Sequence, residues 1–297
     1  MVNHAGQFRA SHGDCVKRAR GELIAFFSLT FAITWGLGAV ILFFRQPLEA
    51  LVGPLGPLNQ SWPYYIAVSA PTIAALLLSL AFGGFSGLKT LARGLVRPMR
   101  PRWIALAILT WPAVLAAWAV IARIMPGAPR TVDLYALLIG APLLLLTTPI
   151  AFADPGALGE EFGWRGFALP RLLRLFSPLT AALILGLIWV VWHIPAFFTS
   201  GLSQSTFNFV WFLIMLVALS VFMAWLFVNT NGNFLVAGIV PHALLNLVFD
   251  ARVTRDLPTE AITMALIAVI LVAAFGKALR AAPRDRAPHA PSPLDPR

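Results

Sequence analysis

The sequence predicts an all-α fold: a polytopic membrane helical bundle of about eight transmembrane helices. Three observations carry that prediction. Of the 297 residues, 59% are hydrophobic and 11% charged, where a soluble domain carries about 25% charged residues. Apolar runs recur near 22–44, 63–83, 103–125, 134–153, 178–198, 207–228, 234–250 and 261–279, each approaching or exceeding the ~17 residues that cross a bilayer as helix. The basic residues lie at the ends of these runs rather than on one face. The net charge of +10 therefore reads as membrane topology, and no nucleic-acid partner is indicated.

The first 20 residues are polar and the run after them is long enough to remain an anchor, so residues 1–21 are expected as a retained cytoplasmic tail. Residues 22–280 form a single transmembrane domain, and the Pro-rich stretch 281–297 reads as a disordered cytoplasmic tail. Gly and Pro in 45–62 predict an irregular external loop, and 83–102 reads as a basic interfacial connector. With the N-terminus inside, the segments 1–21, 84–102, 154–177 and 280–297 with Lys277 carry 17 Lys and Arg; Arg45, Arg123, Arg130, Arg252 and Arg255 lie opposite. That bias puts both termini in the cytoplasm. It also puts 154–177 on the cytoplasmic side, so Ala157 is expected to be reached from there. Cys15, the single cysteine, excludes an intrachain disulfide and implies no thiol chemistry. No internal repeat supports an inverted-repeat transporter.

The two halves differ in polar content. Runs before residue 150 hold no ionisable residue well inside them, whereas Asp154, Glu160, Glu161, Arg165, His193, His242, Asn246 and Asp250 follow in or beside apolar stretches. Ionisable groups at membrane depth are costly unless paired or wetted, which marks this region, about 150–250, as the candidate site. In GALGEEFGWRGFALPRL, Glu161 and Arg165 stand at i and i+4 and can pair on a helix, while Glu160 projects about 100° away and stays free to act as a base. In LIWVVWHIPAFF, His193 follows Trp189 by one turn, and Pro195 weakens the helix just beyond. In GIVPHALLNLVFD, His242, Asn246 and Asp250 share one face. Each motif alone also fits a structural role: a helix-start acidic pair, or histidine and asparagine hydrogen-bonded between helices. Together they supply a base, electrophilic donors and an oxyanion site, the parts needed for hydrolysis by activated water. No GxSxG elbow competes with them.

At these residues the chain resembles the CPBP family of intramembrane proteases, named for CAAX-processing and bacteriocin-processing members. The family pattern EExxxR, FxxxH, HxxxN/D is met by EEFGWR from Glu160, WVVWH ending at His193, and HALLN from His242, with Trp189 in place of the family's Phe. The resemblance implies a helical bundle with an intramembrane cavity. It implies that Glu160 activates water with help from His193, that His242 and Asn246 stabilise the oxyanion, and that Glu161 and Arg165 orient the site. No cofactor follows from it. The implied partners are a peptide or protein substrate, lipidated or membrane-embedded in some members, and membrane lipids. The Ala-, Arg- and Pro-rich composition looks bacterial, so an inner (cytoplasmic) membrane location is expected and prenylated substrates are not assumed. Two rivals stay open: a zinc protease with Glu160, His193 and His242 as ligands, and a non-catalytic immunity or transport protein. Counting from 178 puts His193 about 22 Å deep, and counting from 234 puts His242 about 12 Å deep. Either the spans start at different depths, or helices break near Pro195 and Pro241 with 154–177 dipping into the membrane.

Overall fold

A computed structural model describes residues 12–124, 154–250 and 257–281. Every regular element among them is helical: α1 (His12–Val52), α2 (Trp62–Arg93), α3 (Arg102–Ile124), α4 (Pro155–Glu161), a π-helical stretch (Phe162–Ala168), α5 (Leu169–Leu175), α6 (Pro178–Trp192), α7 (Ile194–Phe197), α8 (Phe209–Asn229), a second π-helical stretch (Leu235–Ile239), α9 (Val240–Asp250) and α10 (Leu257–Arg280). Short 3-10 turns occupy Leu58–Gln60 and Ser203–Thr206. Four helices, within 13–52, 62–93, 209–229 and 257–280, are long and apolar enough by themselves to cross a membrane, and shorter apolar ones pack among them. The expected all-α membrane bundle is therefore what the chain forms. The expected span 134–153 and most of both tails lie outside the described residues.

Contacts fix the direction of each helix. At one end, Arg171 Nε meets Glu22 Oε2 at 2.6 Å and Arg18 reaches the Phe82 carbonyl at 3.2 Å. There too the Phe234 N–H donates to the Gly94 carbonyl, and Trp103 packs edge-on against Trp225. At the other end, Trp35 Nε1 donates to the Trp192 carbonyl and Asn246 Nδ2 to Asp154 Oδ2. The first end thus gathers the start of α1, the end of α2, the start of α3, the end of α5, the end of α8 and the Gly94–Arg102 connector. We call it the tail-side end.

Residues 154–177 are accordingly not a loop. α4, the π-helical stretch and α5 run on as one rod of three seven-residue pieces, about 30 Å long at 1.5 Å per residue, from the far end at Pro155 to the tail-side end at Leu175. The rod is antiparallel to α1, whose Phe26 stacks on Phe167 with ring centroids 5.1 Å apart. Small residues let it close on α2: a β-carbon at Gly163 would lie 2.5 Å from Pro71, and one at Gly159 would lie 3.1 Å from Ser69. This is the small-residue seam that membrane helices use to approach closely. The five charges within the rod, Glu160, Glu161, Arg165, Arg171 and Arg174, kept it out of the count of apolar runs. Pairing of Glu161 with Arg165 and of Arg171 with Glu22, and the indole hydrogen bonds to Glu160, let it sit inside.

Two further boundaries differ from the sequence reading. α1 runs through Pro47 to Val52, with its break at Phe44, so the irregular external stretch begins eight residues later than position 45. α2 continues through the expected connector to Arg93, interrupted at Gly84, whose φ of +57° suits a residue without a β-carbon.

Candidate functional site

The rod's N-terminus is set by Asp154. Its carboxylate caps α4 by accepting from the backbone N–H groups of Gly156 and Ala157, both at 3.1 Å, and Pro155 at the first helical position suits that start. One turn further along lies Glu160, only 4% exposed. Two indoles hold it: Trp164 Nε1 donates to Oε2 at 3.1 Å and Trp189 Nε1 to the same oxygen at 2.6 Å. Among the described residues nothing engages Oε1, and Glu160 lines a cavity of about 370 Å³ between the helices.

Glu161 faces the other way. It is fully buried, with Arg165 Nη1 and His242 Nδ1 both 2.8 Å from Oε1. The Arg165 guanidinium also lies over the Trp189 ring, 4.4 Å from its centroid. Room for the carboxylate comes from Gly238 in the second π-helical stretch, where a β-carbon would approach Glu161 Oε2 to 2.7 Å. Both π-helical segments thus border the site, the first carrying Trp164 and Arg165 and the second presenting Gly238; such wide turns often mark functional positions.

α6 ends at Trp192, and its capping residue His193 precedes the helix-interrupting Pro195. The imidazole Nδ1–H donates to the Trp189 carbonyl at 2.8 Å, which leaves Nε2 of the neutral ring as an acceptor. On α9, His242 Nδ1–H donates to Glu161, and its ring meets Trp189 edge-on at 5.2 Å. Asn246 Nδ2 donates to Asp154 Oδ2 at 2.7 Å, so the residue that caps α4 also anchors the asparagine. Glu160, His193, His242 and Asn246 all line the one cavity, while Glu161 and Arg165 sit behind it. The side chain of Asp250 lies outside the described set.

Three residues join this constellation that the sequence reading left out of it. In the sequence Asp154 stands out only as one polar residue among several, and Trp164 only as part of the acidic motif. Trp189 stands where the resembled family has Phe, yet its N–H makes the short bond to Glu160 and its ring lies between Arg165 and the cavity. The signal available was the indole in place of phenylalanine, one turn before His193. We expect Trp189→Phe to fold but to lower stability by about 1.5–3 kcal/mol, the usual worth of a hydrogen bond to a charged group. An unchanged melting midpoint in detergent would mean that this bond is not made.

No group of three or more His, Cys, Asp or Glu among the described residues is placed to hold a metal ion. Glu160, His193 and His242 border one cavity without forming such a ligand set.

Within the all-α bundle, a buried glutamate, two histidines and an asparagine thus border one cavity. Residues 135–248 match the family model of type II CAAX prenyl endopeptidases, Rce1-like. The chain is also similar to CAAX prenyl protease 2 of Methanococcus maripaludis, 30% identical over 94 residues that make up 30% of this chain and 34% of the relative. The match therefore spans about a third of that relative's length. The region matched by the family model includes the three segments that carry Glu160, His193, His242 and Asn246.

Proposed function

We propose that this protein is an intramembrane endopeptidase that hydrolyses peptide bonds with water activated by Glu160. The observation that carries the reading is the placement of Glu160. Both of its hydrogen bonds fall on Oε2, so Oε1 can face a water in a cavity that His193, His242 and Asn246 share.

The chemistry follows from which atoms are already committed. Glu160 takes a proton as the water oxygen adds to the scissile carbonyl carbon, and later returns it to the leaving amine. His193, with Nδ1–H held by the Trp189 carbonyl, offers the Nε2 lone pair to the same water. His242 is arranged oppositely: in its protonated form Nε2–H donates to the oxyanion while the Glu161 carboxylate balances the ring's charge. Asn246 uses one amide N–H on Asp154 and retains the second for the oxyanion. Every proton removed from water is returned within the cycle, and no step requires a metal.

Purified protein in detergent or liposomes is expected to cleave quenched peptides, with unchanged rate after a strong chelator. Loss of cleavage restored only by zinc would overturn the metal-independent reading. His193→Ala and His242→Ala should each lower kcat on the order of 10²-fold or more, as removal of a single positioned donor or proton acceptor commonly does. Either variant retaining wild-type kcat would remove that residue from the mechanism.

A further inference from the structure

We propose that Thr34, on the first helix, is a positioning residue for the hydrolysis: its hydroxyl holds Trp192, and Trp192 holds the His193 imidazole in place. The catalytic part of this assignment rests on the protease reading above. The geometry stands apart from it.

Every residue of the proposed reaction lies beyond position 150, and α1 and α2 contribute packing to it. Thr34 contributes more. A threonine inside a helix commonly returns its hydroxyl to the carbonyl four residues back in the same helix, as Thr90, Thr110 and Thr263 do. Thr34 instead donates across to the Ala67 carbonyl on α2 at 2.8 Å. That carbonyl is open to it because the residue four positions on is Pro71, which has no N–H to return. With its hydrogen committed there, the Thr34 oxygen still has lone pairs, and one accepts the Trp192 Nε1–H at 2.8 Å. One hydroxyl thus joins α1, α2 and α6.

A second bond from α1 reaches the same place. Trp192 is the last residue of α6, where the interruption ahead of Pro195 leaves carbonyls without helical partners. Trp35 Nε1 donates to the Trp192 carbonyl at 3.3 Å. One turn beyond Thr34, Gly38 gives room to the proline of α7: a β-carbon there would lie 3.1 Å from that of Pro195. α1 therefore grips the residue directly before His193 by both its backbone and its side chain.

The rings carry that grip to the site. Trp192 meets the His193 imidazole edge-on with centroids 4.7 Å apart, and it meets Trp164, whose N–H is donated to Glu160, at 5.6 Å. Phe212 also meets the imidazole, at 5.1 Å. The bond from His193 Nδ1 to the Trp189 carbonyl fixes one ring atom, and the ring can still rock about it; Trp192 and Phe212 limit the rocking. Trp192 is only 3% exposed, and a buried indole N–H needs an acceptor. Without the Thr34 oxygen the indole is drawn from its present place, and the imidazole loses its stop.

Thr34 itself lines the cavity, so the test must separate positioning from contact with the peptide. Thr34→Val keeps the shape and removes the oxygen. In folded protein it should lower kcat on the order of 10-fold at unchanged KM, short of the ~10²-fold that a misplacement of ~1 Å can cost. Thr34→Ser should recover most of that loss. Trp192→Phe should lose as much as Thr34→Val, and the double variant no more, since both substitutions break one chain. Losses that multiply in the double variant would overturn the proposal. So would a raised KM with kcat intact, which would make Thr34 a substrate contact. NMR of the protein with isotope-labelled histidine reads the geometry without catalysis. The His193 signal, identified by its absence from His193→Ala, should shift in Thr34→Val and return in Thr34→Ser. Should Thr34→Val not fold, Thr34→Cys, whose sulfur is a weak acceptor, makes the same comparison. An unmoved His193 signal in the folded variant would overturn the positioning role whatever the peptidase assay shows. If the signal shifts but the wild type cleaves nothing, the protease reading fails and the Thr34 chain stands.

Discussion

Glu160→Gln is expected to reduce peptide cleavage on the order of 10³-fold while leaving the fold intact, within the range that a positioned general base contributes. The fold should survive because the Gln carbonyl oxygen can accept from both Trp164 Nε1 and Trp189 Nε1 as Oε2 does now, and the side chain keeps its shape in a site only 4% exposed. What changes is the group facing the cavity: an amide NH₂ replaces a carboxylate oxygen and cannot take a proton from water. The comparison needs equal melting midpoints for the two proteins and kcat measured at saturating peptide. Cleavage near the wild-type level in a correctly folded Glu160→Gln protein would remove Glu160 as the base. A biological phenotype that survives the substitution, in a protein that inserts normally, would instead favour an immunity or transport role.

Most of the architecture was legible because crossing a bilayer demands long apolar helices, and composition reveals these directly. Seven of the eight runs coincide with or overlap described helices, and the eighth, 134–153, falls outside the described residues. The misread segment was the rod from Pro155 to Leu175. Counting apolar residues penalises Glu160, Glu161 and Arg165 as if each faced lipid, whereas the chain neutralises or hydrogen-bonds them internally. The pairing of Glu161 with Arg165 was readable from the i, i+4 spacing, and it is present at 2.8 Å. The partners of Glu160 divide along the same line: Trp164 is local, but Trp189 lies 29 residues away and Asp154 is joined to Asn246 across 92. Spacing within one helix predicts faces, but it does not predict which faces of different helices meet. The depth mismatch between His193 and His242 did point to the answer, since it could be relieved by bringing 154–177 into the bundle and ending helices near Pro195 and Pro241. α6 does end just before Pro195, and Pro241 follows directly on the second π-helical stretch.

The second large effect is expected from Glu161→Ala, which should lower stability by about 3–5 kcal/mol, the cost of removing one partner of a buried ion pair. Arg165 has no surface exposure, and among the described residues only its Nη1 has a hydrogen-bond partner, the Glu161 carboxylate; Nε and Nη2 find none there. Deleting that carboxylate leaves a buried cation over the Trp189 ring, whose attraction is worth about 0.5–2 kcal/mol and is too small to compensate. The same change frees His242 Nδ1, so the oxyanion donor loses its orientation and activity falls together with stability. A double replacement, Glu161→Leu with Arg165→Met, removes both charges at once, and buried pairs exchanged for apolar side chains of similar volume are often neutral or stabilising. Gly238 lies close enough to Glu161 Oε2 that the leucine must repack locally, so recovery should be large but incomplete. Thermal unfolding in detergent should therefore rank wild type and the double variant well above Glu161→Ala, while the double variant stays inactive because His242 remains unanchored. Equal midpoints for wild type and Glu161→Ala would show that the pair does not hold the rod in place. A double variant with wild-type cleavage would show that His242 needs no carboxylate behind it.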